Sequence, residues 1–259
     1  MAYNLFSLTH PGAEQTAQQE VKELLNEKSN GSLSCIEFSI KKKEEILKYL
    51  TRAQTARRIL FALGKFATPD EITLPALPEF SWKEIFSTGN TYSIEFEHLK
   101  EAELRQTLAR KIGTQLTSAI KKSCNYTPEF TFKKPDRVIV LHFTGKEYVL
   151  GIDLAGELQK RAHRIFTHHA SFTGDIGYYL VRKSRLIAGD KLLIGWVKDG
   201  TLAIEAALFA NSLPVHKEPF ACQKFPLFQG VSLNLTSYNP TPTPLATLPL
   251  TPTTIFAFD

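Results

Sequence analysis

Leu192-Leu-Ile-Gly-Trp-Val-Lys-Asp-Gly-Thr-Leu-Ala-Ile-Glu-Ala-Ala207 reads as a strand, a tight turn and a helix in immediate succession. The apolar run over Lys191–Ile194 predicts the strand, Asp199-Gly200 is the turn signal, and Thr201–Asn211 continues as a helix. A helix is expected just upstream, over Ile176–Arg185. Helix, strand, turn and helix is how a doubly wound α/β sheet begins.

Upstream the pattern is different. Residues 2–9 predict a strand, followed by a helix over Ala13–Asn26 with Ala17, Val21, Leu24 and Leu25 at helical spacing. Ser34–Ile40 alternates as a second strand. Glu44–Lys65 is ambiguous, because Ile59-Leu-Phe-Ala-Leu63 suits either element. Thr68–Pro78, with Pro69, Pro75 and Pro78, reads as a linker. A second unit follows. Thr91–Phe96 predicts a strand, and Leu99–Lys122 a helix with Leu104, Leu108, Ile112, Leu116 and Ile120 on one face. Arg137–Phe143 and Glu147–Asp153, separated by Thr-Gly-Lys, form a hairpin. Strand, long helix and hairpin suggest a small α+β domain.

Phe225–Phe258 contains no charged residue, and Pro240, Pro242, Pro244, Pro249 and Pro252 forbid a regular helix there. The segment is expected to be extended or disordered, with Thr254–Phe258 as a final strand.

The 259 residues, 43% hydrophobic and 22% charged, suffice for two or three compact units. No apolar run approaches the roughly 20 residues that cross a membrane, and Met1-Ala-Tyr-Asn-Leu-Phe6 lacks the features of a signal peptide. A cytoplasmic protein with reduced thiols at Cys35, Cys124 and Cys222 is expected, with no metal site. The net charge of +5 fits a polyanionic partner. Basic residues gather before residue 190, including Arg110-Lys111, Lys121-Lys122, Lys133-Lys134, Lys160-Arg161 and Arg164.

Several motifs in order resemble the THUMP-containing guanosine-N2 RNA methyltransferases, which modify tRNA or large-subunit rRNA. Phe6-Ser-Leu-Thr-His-Pro-Gly-Ala-Glu14 is similar to the family's opening strand and helix start. Arg52-Ala-Gln-Thr-Ala-Arg-Arg-Ile-Leu60 is similar to its R-x-A-x-R-V-L strand. Gly151-Ile-Asp-Leu-Ala-Gly-Glu157 with Lys160-Arg-Ala-His-Arg164 resembles the element that closes the THUMP domain. His168-His-Ala-Ser-Phe172, the quoted loop, and Pro219-Phe-Ala-Cys-Gln-Lys-Phe-Pro226 follow at family-like spacings.

The resemblance implies a ferredoxin-like N-terminal domain (1–75), a THUMP domain (76–155), a linker (156–175) and a truncated Rossmann-like methyltransferase sheet (176–259) with low complexity at 229–254. It implies S-adenosylmethionine as the cofactor, with His169, Phe172, Asp199, Gly200, Glu205 and Asp259 at cofactor positions. RNA, tRNA first, would meet Arg110, Lys111, Lys121, Lys122, Lys133, Lys134, Lys160, Arg161 and Arg164. The loop departs from the family. Ile194 replaces the strand-end acid, Gly195 a proline, Val197 a cysteine and Lys198 a glycine. Losing one ionic hydrogen bond costs about 1.5–3 kcal/mol, so cofactor affinity should fall sharply. The family's Asn-Pro-Pro-aromatic loop has no counterpart; Asn239-Pro-Thr-Pro242 falls before the last expected strand, and no catalytic residue is assigned. The expectation is an RNA-binding protein, catalytically silent alone. The alternatives are one subunit of a split methyltransferase completed by a second polypeptide, and an active guanine-N2 methyltransferase.

Overall fold

The computed structural model describes residues 2–74, 81–187, 189–195, 197–217, 219–231 and 253–258. Asp259, Pro75 and Pro78, and the stretch at 232–252 that bears the later prolines lie outside the described residues. The first elements are β1 (Tyr3–Leu8), α1 (Glu14–Leu25), β2 (Ser29–Ser32), β3 (Cys35–Ile40), α2 (Lys43–Arg52) and β4 (Arg58–Phe66). The ambiguous run over 44–65 thus divides into a helix and a strand. Ile46, Leu47 and Leu50 give α2 one apolar face, whereas Arg58–Phe61 is buried on both faces of a central strand.

Next come α3 (Trp82–Ile85), β5 (Thr91–Glu97), α4 (Ala102–Cys124), β6 (Glu129–Phe130), β7 (Arg137–Phe143) and β8 (Tyr148–Asp153). The last elements are α5 (Gly174–Lys183), β9 (Lys191–Gly195), α6 (Thr201–Ala210) and β10 (Thr254–Phe258). Three short elements, β2, α3 and β6, had no periodicity to announce them. No helix among the described residues is long and apolar enough to cross a membrane.

Eight strands form one sheet in the order β2-β3-β1-β4-β8-β7-β5-β6. Strands β4 and β8 pair antiparallel from Leu60↔Asp153 to Phe66↔Tyr148, so the sheet continues across the proline-rich stretch in sequence. β5 and β7 are parallel, joined by α4 as the crossover. The helices α1, α2 and α4 bury their apolar stripes on one face, where Leu108, Ile112, Leu116 and Ile120 of α4 are all buried. Phe220, Cys222, Phe225, Leu227 and Phe228, downstream of α6, fold back into this same core. Arg137 receives that segment, its guanidinium 4.4 Å from the Phe225 ring and bonded to the Lys224 carbonyl at 3.0 Å.

The opposite face is concave. Ser34 Oγ, just before β3, lies 2.8 Å from His142 Nε2 on β7. Four strand spacings separate β3 from β7 in the sheet order, about 19 Å if the sheet were flat. The sheet therefore curls until its flanks touch, and Phe6, Leu8, Leu60, Val140 and Val149 fill the hollow. Gly151 is needed at this curvature. A Cβ there would stand 2.7 Å from both Leu60 Cβ and the Phe61 carbonyl oxygen.

β9 and β10 form a separate two-stranded parallel sheet, Lys191 pairing with Thr254 and Gly195 with Phe258. The final strand expected from Thr254–Phe258 is thus present. Val181 of α5, Leu186 just beyond it and Ala206 of α6 cover one face of this sheet. On the other, Leu193 and Phe256 remain 69% and 52% exposed. The small unit is docked on α1 and α2 by the forked Arg182–Glu23 pair at 2.7 and 2.8 Å. The Val215 and His216 amides add bonds to the Thr51 carbonyl at 2.9 and 3.0 Å.

Gly151→Ala should cost about 1–3 kcal/mol by overpacking the curl. Urea denaturation measures this, and an unchanged midpoint would contradict the required close approach of β4 and β8.

Candidate cofactor loop and basic surface

The turn between β9 and α6 is closed by the Gly200 amide on the Val197 carbonyl at 2.9 Å. Gly200 has φ 78, as the turn requires of a glycine, but Lys198 is also left-handed at φ 57. A lysine held there costs roughly 1–2 kcal/mol relative to a residue without Cβ strain. This is the position at which the resembling family carries glycine.

Asp199 fixes the turn from below. One carboxylate oxygen accepts the Thr201 amide at 3.1 Å and the Thr201 hydroxyl at 2.7 Å. The other accepts Arg164 Nη2 at 2.6 Å, and both side chains are nearly sealed, at 1% and 9% exposure. The Asp199 amide donates to Ser171 Oγ at 3.4 Å. Burial works against the charge, yet Arg164 first, then Thr201 and Ser171, hold the Asp199 carboxyl well below the usual carboxylate range. Arg164, expected on an RNA-facing surface, is thus turned inward to brace the loop.

Glu205 is withdrawn still further. Its carboxylate and the Arg161 guanidinium are fully buried and paired in fork geometry, Nε to Oε1 at 2.7 Å and Nη2 to Oε2 at 3.2 Å. Gln54 Nε2 adds a bond to Oε2 at 2.7 Å. Arg161 also donates to the Leu158 carbonyl at 3.0 Å and the Gln54 carbonyl at 2.6 Å. Arg161 is therefore no surface cation and Glu205 no open carboxylate; each is engaged with the other. A Cβ on Gly174 would fall 2.3 Å from Arg161 Nε and 2.8 Å from Glu205 Oε1, so the start of α5 must be glycine to seat against the pair. His216 lies beside it, its Nε2 3.0 Å from the Ala53 carbonyl oxygen, to which Nε2–H can donate, and 3.3 Å from Arg161 Nη1. Burial, reinforced by the Arg161 charge, pushes its pKa down to about 3.

The remaining expected cofactor residues are less engaged. His169 is exposed and stacks near His168, ring centroids 4.3 Å apart, and Phe172 is half exposed. Asp259 lies outside the described residues. Ile194, in the place of the family's acid, is buried on the helix-covered side and offers no acceptor. These residues do not fit S-adenosylmethionine as the family would hold it. Two carboxylates are consumed internally, one is replaced by isoleucine, and a side chain occupies a left-handed glycine position.

The basic residues divide. Arg110, Lys121, Lys122, Lys133 and Lys134 are exposed. Lys121 and Lys122 end α4, and Lys133 and Lys134 follow β6, which pairs with the start of β5. The four therefore share the end of the sheet where β5 and β7 begin. Phe130 and Phe132, 41% and 81% exposed and packed edge to face at 4.8 Å, lie in the same place. Their alternation next to Lys133-Lys134 was a readable signal of this aromatic, basic edge. Lys111 instead donates to the Pro69 and Asp70 carbonyls at 3.3 and 2.6 Å, tying α4 to the chain before residue 75. Lys160 is exposed and paired with Glu157.

No family model matches the chain. Over 159 residues, 60% of its length, the chain is 29% identical to a ribosomal RNA large subunit methyltransferase K/L of Photobacterium profundum. This chain is related to the large-subunit rRNA methyltransferases. The match spans 22% of that relative's length, so the chain corresponds to a fraction of it. The structure resembles that of a predicted N6-adenine-specific DNA methylase from Listeria monocytogenes, with TM-score 0.69 and 17% identity over 88% of this chain and 60% of the other. It also resembles a methyltransferase crystallised with SAH, with TM-score 0.65 and 20% identity over 87% of this chain and 60% of the other. Both likenesses carry the mixed α/β fold with its large mixed sheet.

Two outcomes are expected. Arg161→Ala leaves the buried Glu205 charge without its arginine, held by the Gln54 side-chain amide, costing about 3–5 kcal/mol in denaturant unfolding, whereas loss below 1 kcal/mol would contradict the pair's role. His216 is buried neutral, so the unfolded chain binds its proton first as pH falls. Stability from this group is complete above about pH 6.5 and is lost toward about pH 3. His216→Asn should flatten that part of the stability–pH curve measured by urea titration.

Proposed function

We propose that this chain is an RNA-binding protein descended from an S-adenosylmethionine-dependent RNA methyltransferase and is catalytically silent by itself. The carrying observation is the contrast between loop and surface. Asp199 and Glu205 are neutralised internally by Arg164 and Arg161, while Lys121, Lys122, Lys133 and Lys134 stand exposed at one sheet end. A loop so engaged has no carboxylate to offer a cofactor. A basic edge bearing exposed aromatic rings suits phosphates and unpaired bases.

Two features support a ferredoxin-like unit followed by a THUMP-like unit, with boundaries near residues 75 and 155. The first is the β1-α1-β2-β3-α2-β4 succession with neighbours β3-β1-β4, a split βαβ pattern. The second is the strand, long crossover helix and hairpin of β5, α4, β7 and β8. The curated relative is named for large-subunit rRNA. The ligand class proposed here is structured RNA with an unpaired segment, tRNA first.

A second reading has its own observation. The exposed Leu193 and Phe256 leave one face of a parallel two-stranded sheet open, and parallel sheets are ordinarily covered on both faces. A second polypeptide carrying further strands and helices would complete it as a split methyltransferase. Leu193→Asp would block such completion and leave RNA binding intact.

Fluorescence anisotropy with labelled tRNA and a large-subunit rRNA fragment tests the main reading. Reversing Lys121, Lys122, Lys133 and Lys134 to glutamate should weaken binding at least about tenfold and flatten its salt dependence. Binding unchanged by the four reversals would contradict it.

A further inference from the structure

We propose that Glu97, His98 and His142 form a binding site for a divalent transition-metal ion of the zinc class, at the mouth of the curled sheet. The three residues come together although the sequence spreads them over two elements. Glu97 ends β5 and is the direct register partner of His142 on β7, so both side chains leave the same concave face. His98 follows in a left-handed conformation, φ 60, which turns its ring back toward them. One ligand atom from each residue lies within 4.8 Å of the others. The His98 and His142 rings stand edge to face at 89° with centroids 5.1 Å apart.

The tightest contact carries the argument. His142 is fully buried, and its Nδ1 lies 3.3 Å from Glu97 Oε2. Both atoms are buried without a hydrogen-bond partner. On the other side of the ring, Nε2 meets Ser34 Oγ at 2.8 Å. In the tautomer whose Nε2–H donates to Ser34 Oγ, Nδ1 turns a lone pair toward the Glu97 oxygen; in the other, Nδ1–H faces that oxygen and a metal ion would take the place of the proton. Either way a ring nitrogen and a carboxylate oxygen stand 3.3 Å apart around one shared cation position, which a metal ion can occupy in place of a proton. Ligands about 2.0–2.1 Å from a tetrahedral zinc lie about 3.3–3.4 Å apart, which matches this spacing. A metal-bound imidazole also keeps its second nitrogen on a fixed partner, as Ser34 supplies here.

The surroundings favour a positive ion. Arg58 is ringed by four carboxylates: Asp153 at 2.5 Å, Glu95 at 2.6 Å, Glu97 at 2.8 Å and Glu157 at 4.0 Å. Lys160 pairs with Glu157, and Arg57 Nη1 lies 3.3 Å from His98 Nε2. Counting Arg57, Arg58 and Lys160 against the four acids still leaves the cluster negative. Binding displaces Arg57 from His98, which its half-exposed side chain permits. Two imidazoles and one carboxylate, with the exposed edge of His98 facing water, leave a fourth position open to solvent. Bound there, the ion would fasten β5 and β7 to the turn before β3 and lock the curl.

The test uses the full chain, freed of metal with EDTA and carrying Cys124→Ser to remove the accessible thiol. Calorimetric titration with zinc chloride should give one equivalent bound, and the melting temperature should rise. Cobalt(II) should develop visible ligand-field bands without the sulfur charge-transfer absorption of thiolate sites. His98→Ala, at an exposed position, and Glu97→Gln should each weaken binding at least about tenfold, and Ser34→Ala about tenfold through His142. Failure of the folded parent to take up zinc would overturn the proposal. So would undiminished uptake by both His98→Ala and Glu97→Gln, which would place the ion elsewhere.

Discussion

The buried Arg161–Glu205 pair is the constraint on which the arrangement of the chain depends. It joins the segment leaving β8, the helix behind the candidate cofactor loop, and the corner between α2 and β4 through Gln54. That corner is gripped in turn from α1. Glu20 accepts the Gln54 and Thr55 amides at 2.8 and 3.1 Å, and burial raises its pKa against those bonds. A connected run of buried polar groups therefore crosses from the first helix to α6. Such networks gain little over a hydrophobic replacement, but breaking one partner strands a charge. Their effect is to fix geometry, and here the geometry fixed is that of the loop between β9 and α6.

The same interactions limit what that loop can do. Asp199 and Glu205, two of the carboxylates expected to face a cofactor, are instead matched by arginines from the segment between 158 and 164. The segment behaves as a brace wrapped around the start of α6, with Gly174 and Gly177 allowing α5 to close over it. Arg161 and Arg164, part of an RNA-facing cluster as read in sequence, are spent inside the protein, whereas Lys160 stays exposed. Of the basic residues expected to meet RNA, Lys121, Lys122, Lys133 and Lys134 remain exposed where β5, β6 and β7 begin.

Long periodic elements were legible. The α4 stripe, the β7–β8 hairpin and the strand–turn–helix at 191–210 stand where the spacing of apolar residues put them. Glu44–Lys65 was not legible, because a strand buried on both faces has no alternation to show. The charged residues were the hardest to read. Lys160, Arg161 and Arg164 look alike in sequence, yet one is exposed, one fully buried and one sealed against Asp199. Direction comes from the backbone: Arg161 has φ 45, a conformation no composition argument supplies. Glu97, His98 and His142 were invisible for another reason. Their proximity is created by strand register and curl, neither of which any local spacing encodes.

The most direct measurement is a calorimetric titration of S-adenosylmethionine into the purified chain, alone and with bulk tRNA present. The braced loop predicts no cofactor heat in either case, alongside clear binding of the RNA. Micromolar binding of S-adenosylmethionine by the chain alone would contradict this account, because it would require the loop to accept the cofactor with Asp199, Glu205 and Lys198 as they stand.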